Sequence, residues 1–155
     1  MTRYGLLAFA SSIAAGAVLS SCVPEGDPYR IGIRMTPSAQ VEIAYADCGK
    51  PVSITSVLVT RSEAGARDHP SWKISSSSGS DLRRFVVVNS PPPGFKLDVP
   101  LAEPLTSGSY FVSIDSSNLK GESYSFDPAR LRSTAWLFGD NKYLSDEEFS
   151  KGACG

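Results

Sequence analysis

The 155-residue chain has one histidine, two tryptophans, two methionines and three cysteines, and these shortages remove whole classes of chemistry. A lone histidine with two distant cysteines lacks the ligand spacing of a metal site, and no metal or other cofactor is expected. A charge excess is missing as well: 15 Lys and Arg stand against 16 Asp and Glu, spread along the chain. Such a balance gives no footprint for nucleic acid and no polybasic stretch for anionic lipid. There is no internal repeat and no glycine-flanked serine nucleophile. His69 stands in Asp68-His-Pro-Ser-Trp72, but Asp, His and Ser packed into one proline-containing loop read as a solvated loop histidine, not a triad. Ser117-Asn-Leu-Lys120 has S-x-x-K spacing without the partner motifs that its chemistry requires. Asp140, Asp146, Glu147 and Glu148 lack the alternating spacing of a calcium loop. No catalytic residue is expected. A pair of hydrolytic carboxylates, whose geometry only a fold can set, stays open.

What is present begins at the N-terminus. Arg3 precedes an uncharged run, Leu6 to Leu19 (LLAFASSIAAGAVL), which ends in small residues and Cys22. A basic start, a short apolar run and a small-residue site form a secretory signal over residues 1–21. The apolar run enters the bilayer while Arg3 stays on the cytoplasmic side. Leu19-Ser-Ser-Cys22 resembles the lipobox of bacterial lipoprotein precursors, in which an aliphatic residue and two small ones precede a cysteine. The resemblance implies that Cys22 takes a diacylglyceryl group on sulfur and becomes the N-terminus, anchoring the chain to the extracytoplasmic face of the cell membrane. Two acyl chains make such an anchor stable. Val23 follows Cys22 where lipoproteins retained in an inner membrane tend to carry aspartate. Two rival readings remain. Ala15-Gly16-Ala17 fits an ordinary cleavage site that would release a soluble protein. An uncleaved helix would need about 20 strongly apolar residues, and six serines and glycines between Gly5 and Ser21 dilute this segment.

Three cysteines are an odd number for an exported chain. With Cys22 lipidated, Cys48 and Cys154 remain as a pair that an oxidising envelope would join. Closing a loop of about 100 residues could contribute about 4–5 kcal/mol; two buried free thiols are the competing reading. Residues 22–28 carry two prolines, a glycine and two acids and form a short extended tether. Residues 29–155 are one domain's worth of chain.

That domain reads as successive strands. Ile31, Ile33 and Met35 alternate with polar or small residues, as do Val41, Ile43 and Tyr45, so one face packs and one is wet. Further strands are expected at 54–60, 72–74, 85–89, 95–99, 110–115, 124–126 and 135–138. Turn chemistry separates them: Gly49-Lys-Pro51, Ser75 to Ser80 (SSSSGS), Pro91-Pro-Pro-Gly94 and Gly139-Asp-Asn141. Short strands at this spacing predict an all-β antiparallel sandwich. Pro104 to Ile114 (PLTSGSYFVSI) resembles the E–F corner of immunoglobulin-like and fibronectin type III domains. There a leucine packs inward, a glycine turns the chain and a tyrosine hydroxyl ties the corner to backbone. Trp72 suits the buried tryptophan between sheets. Val112 stands two residues after Tyr110, so the inter-sheet cysteine of antibody domains is absent. Ser145-Asp-Glu-Glu148 is a capping box for one short C-terminal helix.

Pro91-Pro92-Pro93-Gly94-Phe95 is the candidate binding loop, a rigid exposed segment with an aromatic tip; otherwise it is a crossover between strands. Arg83-Arg84 marks the start of a strand. The expected function is a non-catalytic binding module at the cell envelope, its partner an envelope protein or cell-wall ligand. The alternatives are a small envelope hydrolase using unidentified carboxylates and a prophage-type superinfection-exclusion lipoprotein.

Overall fold

A computed structural model describes residues 30–46, 48–63, 69–118 and 121–152. Two antiparallel five-stranded sheets face each other. The first holds β1 (Ile31–Met35), β2 (Val41–Tyr45), β5 (Arg84–Val86), β9 (Trp136–Phe138) and β10 (Lys142–Leu144) in the order β10-β9-β1-β2-β5. The second holds β3 (Ile54–Ser62), β4 (His69–Ser80), β6 (Lys96–Val99), β7 (Ser109–Ser116) and β8 (Glu122–Phe126) in the order β6-β4-β3-β7-β8. A 3-10 turn, Pro128–Arg130, and helix α1, Asp146–Gly152, complete the fold.

The period-two pattern explains the main core. Ile31 and Ile33 of β1, Val57 and Val59 of β3, Ile74 of β4, and Val112 and Ile114 of β7 all point between the sheets and are buried. Trp72 lies among them, fully enclosed, and its indole N–H donates across the sandwich to the Val88 carbonyl at 2.8 Å. Leu105 is buried, Gly108 turns the chain at φ 109°, and Tyr110 stacks on Phe126 at 5.8 Å. A tyrosine tie to backbone occurs one strand later, where the Tyr124 hydroxyl donates to the Gly139 carbonyl at 2.7 Å.

A second, smaller core covers the outer face of the first sheet. The Ser145 amide donates to Glu148 Oε2 at 2.8 Å and the Glu148 amide to Ser145 Oγ at 3.2 Å, so the expected capping box starts α1. Phe149 then drops onto the sheet, stacking on Trp136 at 5.2 Å and meeting Phe138 edge-on at 5.7 Å. Small residues make the room. Gly32, Ala44 and Ala46 lie beneath this cluster, and a Cβ on Gly32 would come within 2.6 Å of the Phe149 ring.

Several expectations need correction. Ser75 to Ser80 is not a turn but the second half of β4, with Ser80 opposite Ile54 and Ser75 opposite both Ser56 and Lys96. The change of register between those pairs takes up the extra residues. Gly79, at φ 73°, passes where any side chain would run into Ser53. His69 is not in a loop either: exposed, it opens β4 opposite Arg61. Gly139 to Asn141 does turn the chain, but into β10, a strand of three residues too short to register as alternation.

Candidate functional site

Phe95 overturns the expected aromatic tip. It is 9% exposed and meets Phe85 edge-on at 5.4 Å. The segment 88–95 crosses from β5 of the first sheet to β6 of the second, and Phe95 plugs the side of the sandwich because a buried aromatic there removes more apolar surface from water than any other residue of the loop. Only Pro93 and Gly94 of the five loop residues are exposed.

The same segment builds a concave feature at its base. Asn89 donates from Nδ2 to the Leu101 carbonyl at 2.9 Å, and its Oδ1 accepts from the Leu101 amide at 2.6 Å. This reciprocal clamp closes the excursion 89–101 and fixes the next stretch, Leu101 to Leu105, as a ridge. A cleft of about 390 Å³ lies on one side, lined by Ala39, Val41, Val87, Val88 and Asn89 together with the ridge. Another of about 330 Å³ lies beyond it, lined by Arg61, Ser71, Thr106 and Tyr110. Glu103 is the carboxylate shared by both. Apolar walls with a few fixed polar groups are the usual make-up of a binding cleft.

The rim opposite the ridge is equally braced. In the β1–β2 connection the Thr36 amide donates to the Gln40 carbonyl at 2.7 Å, and Thr36 Oγ1 accepts from the Gln40 amide at 3.0 Å. Ala39 is held at φ 59°, a left-handed conformation that costs an alanine about 1–2 kcal/mol. Strain of this kind persists where surrounding bonds over-determine it.

Strand register fixes where the clefts sit. Ile31 pairs with Tyr45 and Met35 with Val41, so the clefts lie at the end of the sandwich away from Arg30, roughly 13 Å along β1 at 3.3 Å per residue. Around Arg30, the Ala46 amide donates to its carbonyl at 2.8 Å and Tyr45 donates to Glu122 at 3.2 Å. Cys48 lies at this near end, its Sγ 3.8 Å from the Ala46 carbonyl oxygen. A depression of about 390 Å³ here is lined by Cys48, Gly49, Arg83, Arg84, Phe149 and Ser150.

The remaining candidates scatter. Arg84 opens β5, as expected, and pairs with Asp146 at 3.3 Å. Asp140 occupies the β9–β10 turn, while Asp146, Glu147 and Glu148 form the first turn of α1. Among the described residues no three His, Cys, Asp or Glu side chains gather as metal ligands. Ser117 donates its amide to the Ser53 carbonyl, and Asn118 bonds Pro51 and Ser53, which makes this stretch a structural clamp. Cys22, Asp68, Leu119, Lys120 and Cys154 lie outside the described residues.

Asp146 has the densest set of partners. Its carboxylate accepts the Trp136 indole N–H at 2.8 Å, Arg34 at 3.2 Å and Arg84 at 3.3 Å. The indole bond is the largest influence holding its pKa below the ordinary 3.8; slight burial opposes it and the two guanidinium groups reinforce it. Arg34 in turn bonds Glu42 at 2.7 Å and sits 4.2 Å over the Trp136 ring.

No known protein family, curated protein or solved structure matches the chain. The fold and its clefts therefore stand on their own geometry. Sequence reasoning missed the Leu101–Leu105 ridge because Glu103, its one charged residue, stands in no motif; Pro100 before it and Pro104 within it were the available signal.

Proposed function

We propose that this protein is a lipid-anchored binding module on the extracytoplasmic face of the cell membrane, tethered through Cys22 and holding an envelope protein or cell-wall ligand in the clefts beside Leu101 to Leu105. The carrying observation is polarity: the described domain begins at one end of the sandwich, and the clefts open at the other. A short tether at 22–28 would then place the membrane behind the domain and the clefts in front. The Ig-like reading is supported by the β1–β2 and β3–β4 hairpins in opposite sheets and by Tyr110 on β7, beside β3.

A Cys48–Cys154 disulfide belongs to the same reading. Cys48 packs against the cluster around Phe149, and Ser150 lines the same depression, so a chain leaving α1 has only a few residues to cover. Labelling of unfolded, unreduced exported protein should detect neither thiol; labelling of both would refute the bond. For the anchor, Cys22→Ser should leave the precursor unprocessed and outside the membrane fraction. Unchanged retention of that variant would refute the lipobox.

A further inference from the structure

The outer faces of the two sheets are finished differently. α1 covers part of the first, whereas the second turns outward a set of hydroxyls. Tyr110, Val112 and Ile114 of β7 point inward, so Phe111 and Ser113 point out; Tyr124 and Phe126 of β8 point inward, so Ser123 and Ser125 point out. Serine is not among the residues that favour strands, so stability alone does not account for a face built from it. Phe111 is the exposed large hydrophobic among the described residues, at 37%, and it stands directly opposite Ser125.

Beside that ring lies a depression of about 300 Å³, lined by Phe111, Ser123, Ser125, Asp140 and Asn141 among others. The last two come from the β9–β10 turn, which the fold holds firmly. The Asn141 amide donates to the Gly139 carbonyl at 2.7 Å, and the Tyr124 hydroxyl donates to the same oxygen. Asn141 sits at φ 60°, a conformation asparagine tolerates better than most residues. The backbone that carries Asp140 and Asn141 is therefore held before any ligand arrives, which lowers the ordering cost of binding.

We infer that this depression is a saccharide-binding site, in which Phe111 stacks on the C–H face of a neutral sugar ring while Ser123, Ser125, Asp140 and Asn141 bond its hydroxyls. A sugar hydroxyl both donates and accepts, and so do serine and the asparagine amide, while a carboxylate accepts. The electron-rich face of an aromatic ring suits the weakly positive C–H face of a pyranose. Charge argues in the same direction. The lining holds one carboxylate and no cation, which disfavours an anionic ligand, and on the far side of the sheet Lys96 lies 3.6 Å from Asp98. The site depends on neither the lipid anchor nor the clefts beside Leu101, so it stands or falls separately from them.

The test is titration of the full chain, isotopically labelled, with β-1,4-linked hexamers of glucose and of N-acetylglucosamine, followed by amide shifts. Saturable shifts at Ser123, Ser125 and Asp140 are expected with at least one hexamer. Phe111→Ala and Asp140→Ala should each weaken binding by about tenfold with little change in melting temperature, since both side chains are exposed. Ser125→Lys, which fills the depression, should abolish it and serves if Phe111→Ala unfolds. No saturable shift with either sugar would overturn the inference, as would binding indifferent to these variants. Self-association that Phe111→Ala removes and sugar leaves untouched would also overturn it, by assigning the face to a second copy of the chain.

Discussion

Each of the two cores encloses a tryptophan completely, and the two are used in opposite ways. Trp72 sits among apolar side chains and gives its N–H to the Val88 carbonyl, at the start of the segment that crosses between the sheets. Trp136 lies under α1, gives its N–H to the Asp146 carboxylate, and carries Phe149 against its ring and Arg34 over it. Apolar burial dominates the first core, and its tryptophan has no titrating partner. The second mixes aromatic contact with ion pairs whose carboxylate is largely exposed, so water and protons reach it. One region is the body of the domain; the other is a cap whose strength depends on conditions.

The largest effect should come from the first. Trp72→Ala removes a fully enclosed ring, which costs about 3–5 kcal/mol, and leaves the Val88 carbonyl without its donor. Urea unfolding should show a loss of that order shared by every probe. Phe149→Ala should cost about 3 kcal/mol, the low end for a buried phenylalanine, and its effect should be local. Hydrogen exchange should speed up in α1, β9 and β10 while amides of β3 and β7 keep their protection. Uniform loss in that variant would mean that the two cores are one cooperative unit.

Acid should separate them more gently. Asp146 has a folded pKa below its ordinary value, so its contribution is complete above about pH 4 and is lost as pH falls through the folded pKa. Protection of α1 should fade there before that of β3 does. Asp146→Asn, which keeps an acceptor for Trp136 but lacks the charge, should lose about 1 kcal/mol at neutral pH and flatten that acid dependence. A wild-type profile with α1 and β3 failing together would contradict the distinction. The smallest change is at the cleft rim: Ala39→Gly relieves a left-handed alanine and should raise stability by about 0.5–1 kcal/mol, read as a higher denaturation midpoint.

Legibility followed the same division. Alternation in 31–35, 41–45 and 110–115 was enough to place the main core, since a half-buried strand has to write its pattern in period two. Ser145-Asp-Glu-Glu148 announced α1 because a capping box is local. What the sequence concealed were features made by long-range contact. Phe95 reads as a loop tip until Phe85 is brought beside it. Ser75 to Ser80 reads as a linker until β3 and β6 flank it. The Asn89–Leu101 clamp joins residues twelve apart by hydrogen bonds that no spacing rule signals, and the clefts depend on it.

The polarity of the domain is the claim on which its proposed role rests. A photo-crosslinking residue placed at Ala102, on the ridge between the clefts, and in a second variant at Lys50, at the opposite end, would test it in living cells. A reproducible adduct with an envelope protein or wall fragment is expected at Ala102, and none of that identity at Lys50. The same adduct at both positions, or at Lys50 alone, would contradict it.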